Sequence, residues 1–206
     1  MVPAMESCAD KPTGAEVGWR TLRTRRPFKN DVFAVREDKV KLPGGKRKSI
    51  AYLERTAAVI IVPVTAKGEI VLINHYRYPV DEWCLEVPAG GIEDAPNESL
   101  EECARRELRE EVGGSCQSLT YVAGFYSANS LMDEKCHVFL AEEVSLQDPP
   151  ERGAAELMET RLLQGAEALA LVRAGRMTDG QCALAILLCE PLLRAKGLLS
   201  EVSHLD

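Results

Sequence analysis

Three carboxylates, Glu107, Glu110 and Glu111, crowd into the run Arg106-Glu-Leu-Arg-Glu-Glu-Val-Gly113. A charge run on a helix is ordinarily its solvated face. Here, projection at roughly 100° per residue puts Leu100, Ala104, Leu108 and Val112 on one apolar stripe, and Glu107 and Glu111 fall within that stripe rather than opposite it. Like charges one turn apart repel by a few tenths of a kcal/mol (about 0.3) when exposed, and by much more when desolvated. A divalent cation removes that penalty. Mg2+ prefers oxygen ligands and commonly takes one or two carboxylates while keeping waters and the oxygens of a substrate phosphate. Glu101 with Arg105, and Glu102 with Arg106, have the favourable order and sign for helix support, and Arg106 also lies one turn from Glu110.

The elements that must hold this helix are legible on either side of it. Ser99 followed by Glu102 forms a capping-box signature, and Gly113-Gly114 supplies the stop. Upstream, Ala57-Ala-Val-Ile-Ile-Val-Pro-Val64, a Lys67-Gly68 turn and Glu69-Ile-Val-Leu-Ile-Asn-His-Tyr76 form a strand pair, and Trp83-Cys-Leu-Glu-Val87 a third strand running into Pro88-Ala-Gly-Gly91. Downstream come strand-like runs at 119–125 and 137–141, then helices near 165–174 and 178–195, the second capped by Thr178 or Asp179. Short strands mixed with helices that cannot make a regular βαβ series indicate an α+β sandwich, with helices covering a mixed sheet. Residues 1–16 lack periodicity and are expected to be a mobile tail. Residues 17–55 form a small β segment with Asp31–Arg36, a turn at Leu42-Pro-Gly-Gly45, and Ser49–Leu53; residues 56–200 hold the main domain.

The chain has 206 residues, 46% of them hydrophobic, and a net charge of -7, which argues against a general nucleic-acid binder. A small phosphorylated ligand is still compatible, because one arginine or one cation inverts the potential of a cleft. The first eleven residues lack a basic start and an apolar run, and no segment approaches the ~18 apolar residues of a membrane helix, so a cytoplasmic location without membrane association is expected. Seven scattered cysteines without a C-x-x-C pair indicate neither disulfides nor a zinc site; most are expected to be buried small residues.

The stretch Gly90-Gly-Ile-Glu-Asp-Ala-Pro-Asn-Glu98 followed by Arg106–Gly113 resembles the Nudix box, with full agreement of spacing from Glu98 to Gly113. It departs in two places: seven residues rather than five separate Gly90 from Glu98, and Gly114 stands where an apolar residue is expected. The resemblance implies a Nudix-type α/β/α sandwich. It also implies Mg2+-dependent attack of water on a diphosphate, with Mn2+ able to substitute, Glu107 and Glu111 as principal metal ligands, and Glu110 as a further ligand or base.

Flanking motifs are similar to the ADP-ribose pyrophosphatase branch. In Leu85-Glu-Val-Pro-Ala-Gly90 the carbonyl of Ala89 would complete a metal shell, and Glu86 points either into the cleft or into solvent. His75-Tyr-Arg-Tyr-Pro79 implies Arg77 as a phosphate contact, the alternative being a strand-end ion pair; His75 and His137 read as structural. Gly124-Phe-Tyr-Ser-Ala-Asn-Ser-Leu-Met-Asp-Glu134 ends in Asp-Glu like the branch's catalytic loop, which makes Glu134 a candidate base with Asp133 as its substitute, the alternative being a surface loop residue, although Ala128-Asn129 replaces Pro-Gly. Glu156 and Val172–Asp179 resemble the branch's closing segment, and Trp19 and Tyr52 are either adenine-stacking groups or core and interface residues. In that branch the N-terminal region often exchanges strands with a partner subunit, so the resemblance implies a homodimer. The expected reaction is hydrolysis of ADP-ribose to AMP and ribose 5-phosphate; the alternatives are another nucleotide-sugar such as GDP-mannose, or a non-catalytic nucleotide-binding module.

Overall fold

The computed structural model describes residues 11–92, 98–153 and 157–199. Glu156 and the two-residue expansion between Gly90 and Glu98 lie outside the described residues. The chain divides into two compact units, one of Met1–Thr56 with Tyr126–Glu134, the other of Ala57–Phe125 with Lys135–Asp206.

The first unit is built on a three-stranded antiparallel sheet of β1 (Arg20–Lys29), β2 (Ala34–Lys41) and β3 (Arg47–Glu54), in that order. Alternation along β2 buries Ala34, Arg36, Asp38 and Val40 and leaves Lys39 and Lys41 exposed. The two buried charges are partners, with Arg36 Nε donating to Asp38 Oδ1 at 3.0 Å, while Arg36 Nη1 donates to Glu54 Oε1 at 3.0 Å. The loop 126–134 joins this unit through β3: Leu53 N–H donates to the Leu131 carbonyl and Asp133 N–H to the Leu53 carbonyl. Residues 12–16, expected to belong to a mobile tail, instead form the short helix α1 (Pro12–Glu16), for which Pro supplies a preset φ at the first turn.

In the second unit β4 (Ala58–Thr65), β5 (Glu69–Arg77), β6 (Glu82–Glu86), β7 (Ala89–Gly91), β8 (Gly114–Ser115), β9 (Ser118–Tyr126), β10 (Lys135–Leu146) and β11 (Met158–Gln164) form one sheet. Its backbone order is β11-β5-β4-β10-β8, with β6 on β5, β7 on β4 and β9 on β10. β10 runs parallel to β4 and the other registered pairs are antiparallel, so the sheet is mixed, as expected. The edge strand β11 was not foreseen, because Met158-Glu-Thr-Arg-Leu-Leu-Gln164 is mostly exposed and carries no alternating apolar face.

Alternation on the central strands sorts their side chains between two cores. Val59, Ile61, Val71, Ile73 and Phe139 pack with Ala104, Leu108 and Val112 of helix α2 (Leu100–Val112). Ile60, Val62, Ile70, Leu72, Val138 and Leu140 pack on the other face with Leu169 of α3 (Gly165–Arg173) and Ala185, Ile186 and Leu193 of α4 (Gly180–Ala195). This is the expected α/β/α layering. Among the described residues no helix is long and apolar enough to cross a membrane.

The ends of α2 are set as the sequence specifies. Ser99 Oγ accepts from the Glu102 N–H while Glu102 Oε2 accepts from the Ser99 N–H, a complete capping box. Gly113 ends the helix at φ 66°, and a Cβ there would overlap the Asp148 carbonyl, so both conformation and space demand glycine. Because Glu102 is committed to the cap, the expected Glu102–Arg106 pair is not the bond that forms. Glu101 and Arg105 do pair, at 3.2 Å. Ser99→Ala is expected to destabilise the protein by about 1 kcal/mol, measured as a lowered urea midpoint with an unchanged slope.

Candidate active site

Helix α2 presents its carboxylates to the second unit in two different settings. Glu107 and Glu111 are 7% and 9% exposed, on the same face as Leu108 and Val112, whereas Glu110 is half-buried. Two inward carboxylates need compensation, and Arg106 supplies much of it. Its Nη1 donates to Glu107 Oε1 at 2.7 Å and to Glu110 Oε2 at 3.0 Å, while Nε and Nη2 grip Glu98 at 3.0 and 3.1 Å and Nη2 also reaches the Gly91 carbonyl. The Glu98 bond is the main influence raising the guanidinium above its ordinary pKa, against the pull of burial. Beneath it the Cys103 thiol is pushed up to about 12, chiefly by burial, and stays a neutral apolar spacer.

Glu111 has a different partner. Its Oε2 accepts from the Ala89 N–H at 3.0 Å, so β7 is drawn against the last turn of the helix. The neighbouring Gly90 touches Glu107 so closely that a Cβ would overlap the carboxylate carbon and both its oxygens. Ala89, Glu107 and Glu111 thus converge. Among the described residues no three acidic, Cys or His side chains form a ready-made cage. The set nevertheless fits a hard divalent cation that takes two carboxylates and fills its remaining positions with water and ligand oxygens: the donors are all oxygen, the two carboxylates are buried, and Gly90 leaves them room.

Arg77 and Glu86, from the paired ends of β5 and β6, bind each other. Arg77 Nε and Nη2 donate to the two Glu86 oxygens at 2.8 and 2.6 Å, and Glu86 is 3% exposed. Glu86 therefore lies neither open to solvent nor free in a cleft, and the strand-end ion pair weighed for Arg77 is present. The Arg77 side chain as a whole is still 46% exposed. Its pKa is raised first by the Glu86 bond and further by the field of Glu111, so Arg77 and the carboxylate helix share one electrostatic neighbourhood. His75 lies 3.6 Å from Glu86, buried, as a structural histidine would be.

Glu134 belongs to the first unit. It is 2% exposed and its Oε1 meets Arg55 Nη1 at 2.8 Å, while Asp133 Oδ1 accepts from the Arg55 N–H at 3.0 Å. Sequence reasoning passed over Arg55, which orders both acidic ends of the loop. The same unit contains a cavity of about 480 Å3 whose lining includes Lys11, Trp19, Tyr52, Asn129 and Asp133. Lys11 Nζ stands 4.8 Å from the Tyr52 ring centre. Trp19 and Tyr52 both line this cavity. Cys84, Cys103, Cys136, Cys182 and Cys189 are buried, as expected of small apolar residues.

Residues 54–178 match the model of the NUDIX domain. The chain belongs to the Nudix family. This Nudix hydrolase is 33% identical over 168 residues to the ADP-ribose pyrophosphatase of Bacillus subtilis, covering 81% of this chain and 90% of the relative. It is 30% identical over 145 residues to the GDP-mannose pyrophosphatase of Yersinia enterocolitica, covering 63% of this chain and 71% of that one. A crystal structure of an ADP compounds hydrolase superposes with a TM-score of 0.76 at 23% identity, over 88% of this chain and 97% of the other, a likeness of fold. The box that these matches span is the segment where Glu107 meets Gly90, Glu111 meets Ala89 and Arg106 meets Gly91.

Gly90→Ala tests that packing. The added methyl is expected to displace the Glu107 carboxylate and weaken Mn2+ binding by about tenfold or more, read by metal titration, with circular dichroism unchanged.

Proposed function

We propose that this Nudix hydrolase cleaves the diphosphate of ADP-ribose, releasing AMP and ribose 5-phosphate, in a Mg2+-dependent reaction. The observation that carries this reading is the buried Glu107–Glu111 pair against Gly90 and Ala89, because such a pair is costly without a cation and is apt for one that also holds phosphate oxygens. The bound cation would neutralise charge developing on the diphosphate and lower the pKa of a water. Glu107 and Glu111 would hold it with the Ala89 carbonyl, and Mn2+ would substitute for Mg2+.

The remaining roles fall to this chain's own side chains. Arg106 pairs with Glu107 and Glu110 and aims both, leaving Glu110 as a further ligand or supporting base. Arg77, already oriented by Glu86, turns its exposed face to the substrate phosphates, a charge-assisted contact that fixes the diphosphate; Glu86 acts on substrate through Arg77. Glu134 is the candidate base that accepts the proton of the attacking water. Its ion pair with Arg55 orients the carboxylate but also occupies one oxygen. Within the first unit by itself, the cavity of about 480 Å3 lies within the ordinary range for small-molecule sites and carries the aromatic rings of Trp19 and Tyr52. The adenosine reading also follows the similarity to the Bacillus subtilis enzyme along most of both chains. Similarity to a GDP-mannose pyrophosphatase favours a nucleotide-sugar as the second reading. A cytoplasmic homodimer, binding neither nucleic acid nor membrane, completes the proposal.

A substrate panel with Mg2+, following AMP and sugar phosphate, decides between these readings: ADP-ribose should be turned over best, and preference for a guanosine sugar would sink the adenosine assignment. Metal binding without turnover of any diphosphate would instead indicate a binding module. Glu111→Gln should lower turnover a hundredfold or more, a loss of about 3 kcal/mol of transition-state stabilisation, with folding intact; near-normal activity would contradict its role as a ligand. Glu134→Gln should greatly reduce turnover while leaving metal affinity in place. An unchanged rate would move the base to Glu110 or Asp133.

A further inference from the structure

The last carbonyls of a helix have no partners within it, and α2 ends on the residues that matter most. Its C-terminal turn is taken up by the segment that follows β10. Glu151 N–H donates to the Glu110 carbonyl at 2.8 Å, and Asp148 N–H to the Gly113 carbonyl at 3.4 Å. Between these, Arg152 Nε donates to the Glu111 carbonyl at 2.8 Å. The same guanidinium extends its other nitrogens to β11, with Nη1 donating to the Met158 carbonyl at 2.5 Å and Nη2 to Thr160 Oγ1 at 2.8 Å. Met158 pairs with His75 on β5, and Tyr76 N–H donates to the Leu157 carbonyl beside it. One planar side chain therefore joins the carboxylate end of α2 to the strand end that carries Arg77.

From this geometry we infer that Arg152 is a positioning residue for the metal-binding carboxylates. Each of its three described bonds goes to a neutral oxygen, so among the described residues no carboxylate bonds to its charge. That charge sits at the negative end of the α2 dipole and one peptide from the Glu111 side chain. The guanidinium fork fixes three acceptors in one plane, which an ammonium cannot do. Loosening it would let the last turn fray at Glu110 and Glu111 and let β11 slide relative to that turn. Cation affinity would fall because the Glu111 carboxylate would have to be reordered against Glu107 on binding. The argument rests on the reading of Glu107 and Glu111 as cation ligands.

The test is Mn2+ titration of the full chain without substrate, comparing wild type, Glu111→Gln, Arg152→Ala and Arg152→Lys, with hydrogen exchange of the α2 amides and steady-state kinetics alongside. Arg152→Ala is expected to raise the Mn2+ Kd about tenfold, the low end of what orienting residues around metal ligands cost. It should also speed exchange in the last turn of α2 and lower kcat more than it raises substrate KM. Arg152→Lys should recover less than half of the lost affinity, because charge alone does not rebuild the fork. Full recovery by Lys would overturn positioning in favour of a simple charge effect. An Mn2+ Kd within twofold of wild type in both Arg152 variants, with Glu111→Gln still impaired, would overturn the inference while sparing the ligand assignment. If Arg152→Ala does not fold, Arg152→Lys alone decides by the same threshold. Absence of Mn2+ binding in the wild type would remove the ligand assignment itself.

Discussion

Burying Glu107 and Glu111 beneath a sheet is the constraint to which much of the second unit answers. An unpaired carboxylate taken out of water costs several kcal/mol or ionises no longer, so each of these needs a partner that the fold must hold in place. Arg106 serves Glu107, and the Ala89 N–H serves Glu111. Those partners make further demands: Arg106 is itself fixed by Glu98 and the Gly91 carbonyl, and Ala89 is fixed by the pairing of β7 with β4. A glycine at position 90 then becomes obligatory, because the carboxylate of Glu107 fills the space of its missing side chain.

The hydrophobic layers do the opposite kind of work. Strands β4, β5 and β10 send alternate residues to the α2 core and to the α4 core, so the sheet is apolar on both faces and rigid between them. Polar chemistry is confined to where that alternation ends: the strand ends at Arg77 and Glu86, and the helix face at Glu107 and Glu111. A cluster of like charges is tolerable at such a boundary because Arg106 and the Ala89 N–H can offset it there. The same cluster inside either core would have no solvent or ligand to offset its cost.

The Arg77–Glu86 pair leaves an arginine both restrained and partly exposed. Two of the guanidinium nitrogens are spent on a carboxylate that is almost fully buried, which restrains the side chain and keeps it charged, while nearly half of the side chain remains exposed. A phosphate meeting such an arginine encounters a pre-oriented donor and loses less entropy on binding. Arg55 stands in a similar relation to Asp133 and Glu134 in the first unit, meeting one by its backbone and the other by its side chain.

Local sequence determined helix α2 almost completely, because its signals act over a few residues: Ser99 and Glu102 cap it, Gly113 stops it in the left-handed region, and the apolar stripe of Leu100, Ala104, Leu108 and Val112 sets which glutamates face inward. The strand pairs with clear alternation or apolar runs were legible for the same reason. Partner choice was not. Glu102 had two possible bonds within reach, and only the folded helix end shows that the cap takes it and leaves Arg106 to Glu98, Glu107 and Glu110. The pairing of Arg77 with Glu86 depends on β5 lying beside β6, and β11 exists because β5 offers it an open edge rather than because its own sequence alternates. The grip of Arg152 on the Glu111 carbonyl spans 41 residues of chain, a separation at which sequence pattern carries no information about contact and only tertiary packing decides it.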